Sequence, residues 1–189
     1  YLKGFIQNNI DNKIHPNYSL HTVRTYRSSC SEPNFQNIPK RNKEAQKIVR
    51  SGVKPSQGNL LVSADYSGLE VRIGACYHKD PVMLKYINDP NSDMHRDLTC
   101  KIFKLRKENV TKDLRFIAKN GFTFAEFYGD YFGSIAPNIW KDIDEEMLVN
   151  GIYVKEHLES QGIRKYSDFE NHIKQIEDEF WNKTFTGYT

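Results

Sequence analysis

Apolar positions first gather in one short run, Asn59-Leu-Leu-Val-Ser-Ala-Asp65, and only later recur at helical spacing. Glycines and a proline (Gly52, Pro55, Gly58) set a turn ahead of that run, so it predicts a buried strand that delivers the Asp65 carboxylate at its exit. Before it, Ser28–Pro39 (SSCSEPNFQNIP) is rich in Ser, Asn and Pro without a sustained period, which predicts an ordered loop. From Leu69 to Tyr77 the spacing becomes helical, and Asp80-Pro81 stops it. Asp93 is placed to cap a helix running to about Phe103, and Thr111 to cap one running past Lys119. Beyond Tyr128 the chain loosens through Gly129, Gly133 and Pro137. Amphipathic helical segments then follow near Asp144–Leu148, Val154–Ser160 and Ser167–Trp181. Strands and loops come early and helices late, the order of an α+β chain with a mainly helical second portion.

Composition places the chain in the globular class. Hydrophobic residues make up 38% and charged residues 27% of 189, with 11 Phe, 11 Tyr and 2 Trp, unlike a disordered or a membrane-spanning chain. No apolar run approaches the roughly 18 residues of a spanning helix, and Tyr1-Leu2-Lys3 opens no signal peptide, so no membrane partner and no export are expected. Cys30, Cys76 and Cys100 are odd in number and widely spaced, which suits a reducing, cytoplasmic setting better than a disulfide framework. The net charge of +3 hides an asymmetry: residues 1–58 carry ten Lys/Arg against three Asp/Glu, and residues 142–189 five against eleven. A basic first third attracts polyanions by counterion release, although such an excess is also common on ordinary soluble proteins.

Four groups of residues carry candidate chemistry. Asp65 and Glu70 stand five apart in DYSGLEVRI, and a strand-end carboxylate either caps a turn or holds Mg²⁺. Lys112, Arg115 and Lys119 fall at i, i+3 and i+7, a cationic stripe in which no acid four residues on neutralises Arg115 or Lys119. Phe116, Phe122, Phe124, Phe127 and Tyr128 lie beside that stripe, offering either core packing or a stacking face for a base whose phosphates the cations grip. His95 falls in the first turn of its helix, where an anion is favoured. Arg24, Arg27, Arg41 and Arg50 flank the loop bearing Asn34, Gln36 and Asn37, whose amides suit phosphates and minor-groove edges, though polar turn residues are common.

In chain order, TYRSSCSEPNFQNIPKRN, SADYSGLEVRI, SDMHRDLTCKIF and RFIAKNGFTFAEFYG resemble four segments of the family A DNA polymerases: primer-template loop, first catalytic motif, conserved-histidine helix and nucleotide-binding fingers helix. They span Arg27 to Gly129, and the HTVRTYR and FAEFYGDYF wording resembles phage members. The resemblance implies a fragment of a right-hand polymerase, with partial palm over residues 1–90 and fingers over residues 91–189. Its implied activity is two-metal nucleotidyl transfer from dNTPs to a primer 3′ end on template DNA, in a bacterial or phage-infected cytoplasm.

Residue by residue, the resemblance makes Asp65 the catalytic carboxylate on two Mg²⁺ ions and the Tyr66 carbonyl a ligand of one. Glu70 excludes a 2′-hydroxyl and Arg72 supports Glu70. His95, Arg115 and Lys119 grip the triphosphate, Lys119 also serving the departing pyrophosphate, while Phe124 and Tyr128 flank the nucleotide. Arg27 reads the primer end, and Asn34, Gln36 and Arg41 touch the duplex. The family's second metal-binding carboxylate sits in a His-Asp-Glu motif, and this sequence has no His-Asp pair, so the fragment is expected to be inactive alone. A non-catalytic nucleic-acid-binding module derived from a polymerase is the alternative.

One spacing departs from the family. Four residues instead of three separate Lys119 from Phe124. In an unbroken α-helix that turns Phe124 and Tyr128 about 140° and 180° away from Lys119. A π-type turn near Gly121 would restore them, since such a turn absorbs one residue. A regular helix would instead present Thr123 and Phe127.

Overall fold

The computed structural model describes residues 2–39, 42–143 and 146–188, in two compact units divided between Asp65 and Tyr66. The α+β expectation holds: among the described residues, three two-stranded antiparallel sheets accompany a majority of helix.

The first unit contains α1 (Leu2–Gln7), the hairpin β1 (Asn9–Ile10) and β2 (Lys13–Ile14), the pair β3 (Asn17–Ser19) and β4 (Ser29–Ser31), and α2 (Lys43–Ser51). Asp11 and Asn12 turn the first hairpin with φ of 50° and 60°, the left-handed pair that a two-residue turn needs and that Asx side chains tolerate. Asn42 caps α2, its Oδ1 accepting from the Ala45 N–H at 2.9 Å. The loop predicted at 28–39 is ordered around buried Cys30, whose sulfur accepts the Phe35 N–H at 3.3 Å.

The buried strand predicted at 59–65 is not formed. The segment carries no regular secondary structure and pairs with no strand among the described residues, and Leu60, Leu61 and Val62 are 87%, 64% and 89% exposed. A short apolar run marks strand potential; a strand also needs a neighbour for its N–H and C=O groups, and the run does not supply one.

The second unit opens with α3 (Leu69–His78), entered through Gly68 at φ 58°, and α4 (Pro81–Asn88). Asp80-Pro81 therefore starts a helix as well as stopping one. Asp80 Oδ1 accepts the Val82 and Met83 N–H groups at 2.9 Å, and Pro81 sits where a missing N–H costs nothing. Next come α5 (Met94–Phe103) and α6 (Lys112–Ile117), capped by Asp93 and Thr111 as their side chains predict. A π-helical turn over Ala118–Thr123 leads into α7 (Phe124–Phe127) and α8 (Phe132–Asp142).

Two expectations fail in this unit. The stretch through Gly133 and Pro137 is helical, because α8 buries Ile135, Ala136 and Ile139 and that burial outweighs the N–H lost at Pro137. The helical segment expected near residue 144 gives way to a hairpin, β5 (Leu148–Val149) with β6 (Ile152–Tyr153), while Asp144 and Glu145 lie outside the described residues. Asn150 and Gly151 turn it with φ of 52° and 79°, the strongest short hairpin signal a sequence carries. α9 (Val154–Ser160) and α10 (Tyr166–Glu179) follow, the latter running into a second π-helical turn, Phe180–Thr184. Phe103, Leu114, Phe122, Ile139, Leu158 and Phe169 fill the core between these helices.

Candidate functional site

The N-terminus of α5 organises the site. Asp93 caps the helix through the Arg96 N–H at 3.0 Å and also receives the Arg115 guanidinium in two bonds, Nε to Oδ2 at 2.8 Å and Nη2 to Oδ1 at 2.9 Å. Burial alone would raise the Asp93 carboxyl, but the bonds from Arg115 and the Arg96 amide outweigh it and hold the group below its ordinary range. Arg115 is thus neutralised from another helix, which corrects the picture of an unopposed cationic stripe. Asp93 and Arg115 are 22 residues apart, beyond any single-helix rule.

His95 lies half-buried in the first turn of α5, its Nδ1 3.4 Å from Thr123 Oγ1 and its ring edge-on to Phe124 at 6.0 Å. Burial first, then the charges of Arg115 and Lys119, push the imidazole down to about 4, so His95 is neutral at pH 7 and can offer an N–H without a formal charge. The Lys119 ammonium stands 5.2 Å from the centre of the Phe124 ring, within cation–π range.

The widened turn expected between Lys119 and Phe124 is present. Phe124 N–H bonds back to the Lys119 carbonyl, five residues earlier, and the Thr123 hydroxyl donates to the Ala118 carbonyl at 3.3 Å. A side chain at Gly121 would put its Cβ 2.9 Å from Ile139 Cγ1, so glycine lets α8 close on the turn. The register follows. Thr123 is fully buried, and Phe127 packs among Phe180, Trp181, Phe185 and Tyr188. Phe124 instead meets Lys119 and His95, and the exposed Tyr128 reaches α3, donating its hydroxyl to Glu70 Oε1 at 2.9 Å.

Arg72 donates Nε to the Ser67 carbonyl at 2.7 Å and Nη1 to the Ile87 carbonyl at 3.2 Å, tying the turn before α3 to the end of α4. A cleft of about 680 Å³ opens here, with Ser67, Arg72, Asn91, Asp93, His95 and Arg115 in its walls. Contacts thus link Glu70 to Tyr128 and Phe124 to both His95 and Lys119, while His95 and Arg115 share the cleft wall.

Asp65 and Tyr66 are exposed, just ahead of the turn that enters α3. No three His, Cys, Asp or Glu side chains among the described residues group as a metal cage. A single carboxylate with a neighbouring carbonyl does fit an ion brought on a nucleotide's phosphates, the usual donor set for Mg²⁺. In the first unit, Asn34 Oδ1 accepts the Gln36 N–H at 3.1 Å, and Gln36 Nε2 donates to Ser28 Oγ at 2.8 Å, so both side chains shape the loop. Arg27 is exposed beside them, and Arg41 lies outside the described residues.

Sequence reading missed Glu126, the one charged residue in the otherwise apolar and aromatic run Phe124–Tyr128, which was its one signal. It is 3% exposed, with Oε2 accepting the Trp181 Nε1–H at 2.7 Å and Oε1 unpartnered among the described residues. Burial raises its carboxyl to about 7 against the pull of the Trp181 N–H, with Glu177 and Asp130 adding to the rise. Between its ordinary 4.5 and about 7, the folded chain keeps a proton that the unfolded chain has released, so stability falls as pH rises across that window. Glu126→Gln, which still accepts from Trp181, should therefore raise the melting temperature at pH 8 and leave it nearly unchanged at pH 5. Calorimetry showing equal shifts at both pH values would contradict this.

Residues 1–185 match the family model for DNA polymerase family A, and the chain belongs to that family. DNA polymerase I of Lactococcus lactis subsp. cremoris is 33% identical over 189 residues, covering 98% of this chain and 20% of that protein. DNA polymerase I of Pseudomonas aeruginosa is 38% identical over 77% of this chain and 15% of its own length, and the DNA polymerase of Bacillus phage SP01 29% identical over 95% and 20%. The chain thus spans a fifth or less of these relatives. The POL domain of Pol1 from M. smegmatis, solved with DNA primer-template and dNTP, shares the fold at a TM-score of 0.62 and 22% identity, over 94% of this chain and 30% of that one.

Proposed function

We propose that this chain is part of a template-directed DNA polymerase that transfers nucleotides from dNTPs to a primer 3′ end, with residues 1–90 contributing palm and residues 91–189 fingers. The π turn carries the reading, because it returns Phe124 and Tyr128 to the side of Lys119, where His95 and Glu70 stand. Phosphoryl transfer asks for positioned cations and donors where negative charge develops more than for covalent help. Lys119 supplies a mobile charge to the triphosphate and to the leaving pyrophosphate, and neutral His95 donates an N–H. Arg115, with two of its N–H groups committed to Asp93, is held in place to offer others.

Glu70, fixed by Tyr128, occupies the space a 2′-hydroxyl would need. Asp65 and the Tyr66 carbonyl would hold Mg²⁺, which when bound neutralises phosphate charge and activates the primer hydroxyl. Arg27, Asn34, Gln36 and Arg41 serve the primer-template duplex. The bacterial and phage relatives support a cytoplasmic setting, and among the described residues no helix is long and apolar enough to cross a membrane.

The test is Glu70→Ala in the full-length polymerase, scored by competition between ribo- and deoxyribonucleotides. Ribonucleotide incorporation should rise. An unchanged preference for deoxynucleotides would place sugar discrimination elsewhere.

A further inference from the structure

Behind the Glu70–Tyr128 hydrogen bond lies a small cavity of about 90 Å³, walled by Glu70, Gly74, Phe124, Phe127, Tyr128 and Tyr188. Glu70, Gly74 and His78 repeat every four residues and so share one face of α3. Tyr188 lies along that face. A Cβ on Gly74 would meet Tyr188 Cε2 at 3.7 Å, and the Tyr188 ring stacks on His78 with centroids 3.8 Å apart. Its other neighbours are Phe127 at 5.5 Å, the residue before Tyr128, and Trp181 at 5.0 Å.

Both ends of this segment are anchored. Trp181 donates to buried Glu126 on α7 at 2.7 Å. The Gly187 N–H donates at 2.8 Å to Oδ2 of fully buried Asp80, whose Oδ1 caps α4. A Cβ on Gly187 would fall 3.0 Å from Asp80 Oδ2 and 3.1 Å from its Cα, so the chain could not seat there with a side chain at that position unless one of them shifted.

We propose that residues 180–188 form a brace setting the separation of α3 and α7, and that Tyr188 is a positioning residue for sugar discrimination. The Glu70–Tyr128 bond joins two exposed side chains, and such a bond, competing with water, contributes too little to hold two helices in register. Rigid aromatic packing behind it does so. Tyr188 acts through Glu70 without touching the nucleotide, so the inference rests on the reading of Glu70 as the residue beside the sugar.

The experiment measures kcat/KM for a deoxynucleotide and its ribonucleotide in the full-length polymerase. Tyr188→Ala and Gly187→Ala, which loosen the brace from two places, should each lower the deoxy-to-ribo ratio roughly tenfold, the scale of cost a small displacement behind a site can impose. Tyr188→Phe should keep the ratio, and Tyr188→Ala should lower it no further in a Glu70→Ala background. Tyr188→Leu, which fills the notch without a ring, gives the same reading if the alanine variant does not fold. If both substrates lose equally while Glu70→Ala still relaxes selectivity, the brace is overturned and the role of Glu70 stands. If Glu70→Ala leaves the ratio unchanged, the role of Glu70 falls and the brace with it.

Discussion

Asp65→Ala in the full-length polymerase should abolish primer extension while leaving affinity for the primer-template duplex nearly intact. Asp65 is exposed and caps none of the helices among the described residues, so its removal opens no buried cavity. On the proposed reading, what it removes is an anionic oxygen ligand for Mg²⁺ where phosphoryl transfer needs one. Duplex affinity by fluorescence anisotropy and extension on the same primer-template separate the two roles. Affinity falling as steeply as activity would make Asp65 a structural residue.

Lys119→Ala should lower nucleotide kcat/KM by about 10- to 150-fold, the loss of one charge-assisted contact of roughly 1.5–3 kcal/mol, without altering the choice between deoxy and ribo sugars. Its ammonium lies over the Phe124 ring, and no carboxylate is paired with it among the described residues, so the substitution leaves no acid unpartnered. Arg115→Ala is expected to differ. It also strips Asp93 of its two-bond partner, so nucleotide use and melting temperature should fall together. Equal loss of sugar discrimination in either variant would count against the assignment of Glu70 to the sugar and of these cations to the phosphates.

Local chemistry was the legible part of the fold. Asp93 and Thr111 could be read as caps because the side-chain oxygen and the N–H it satisfies lie within three residues. Asn150-Gly151 carried an equally local hairpin signal that the surrounding acids and apolar residues disguised as an amphipathic helix. Pro137 misled for the opposite reason: the local rule was sound, but burial of Ile135 and Ile139 decided the outcome.

Within the site, residue types and order pointed to Glu70, His95 and Lys119 through the family resemblance. Distances across the fold were not readable. Neither the Asp93–Arg115 pair, nor the Trp181–Glu126 bond 55 residues apart, leaves a periodic trace in the chain. The π turn is the exception, since one surplus residue between Lys119 and Phe124 forces either a widened turn or a rotated face.

That register is most directly tested by a crystal structure of the full-length polymerase with primer-template and an incoming deoxynucleotide. The expected result is that His95, Arg115 and Lys119 lie within hydrogen-bond distance of the phosphates, with Phe124 and Tyr128 against the nucleotide and Glu70 beside its sugar. A nucleotide bounded instead by Thr123 and Phe127, with Phe124 and Tyr128 turned away from it, would contradict the account.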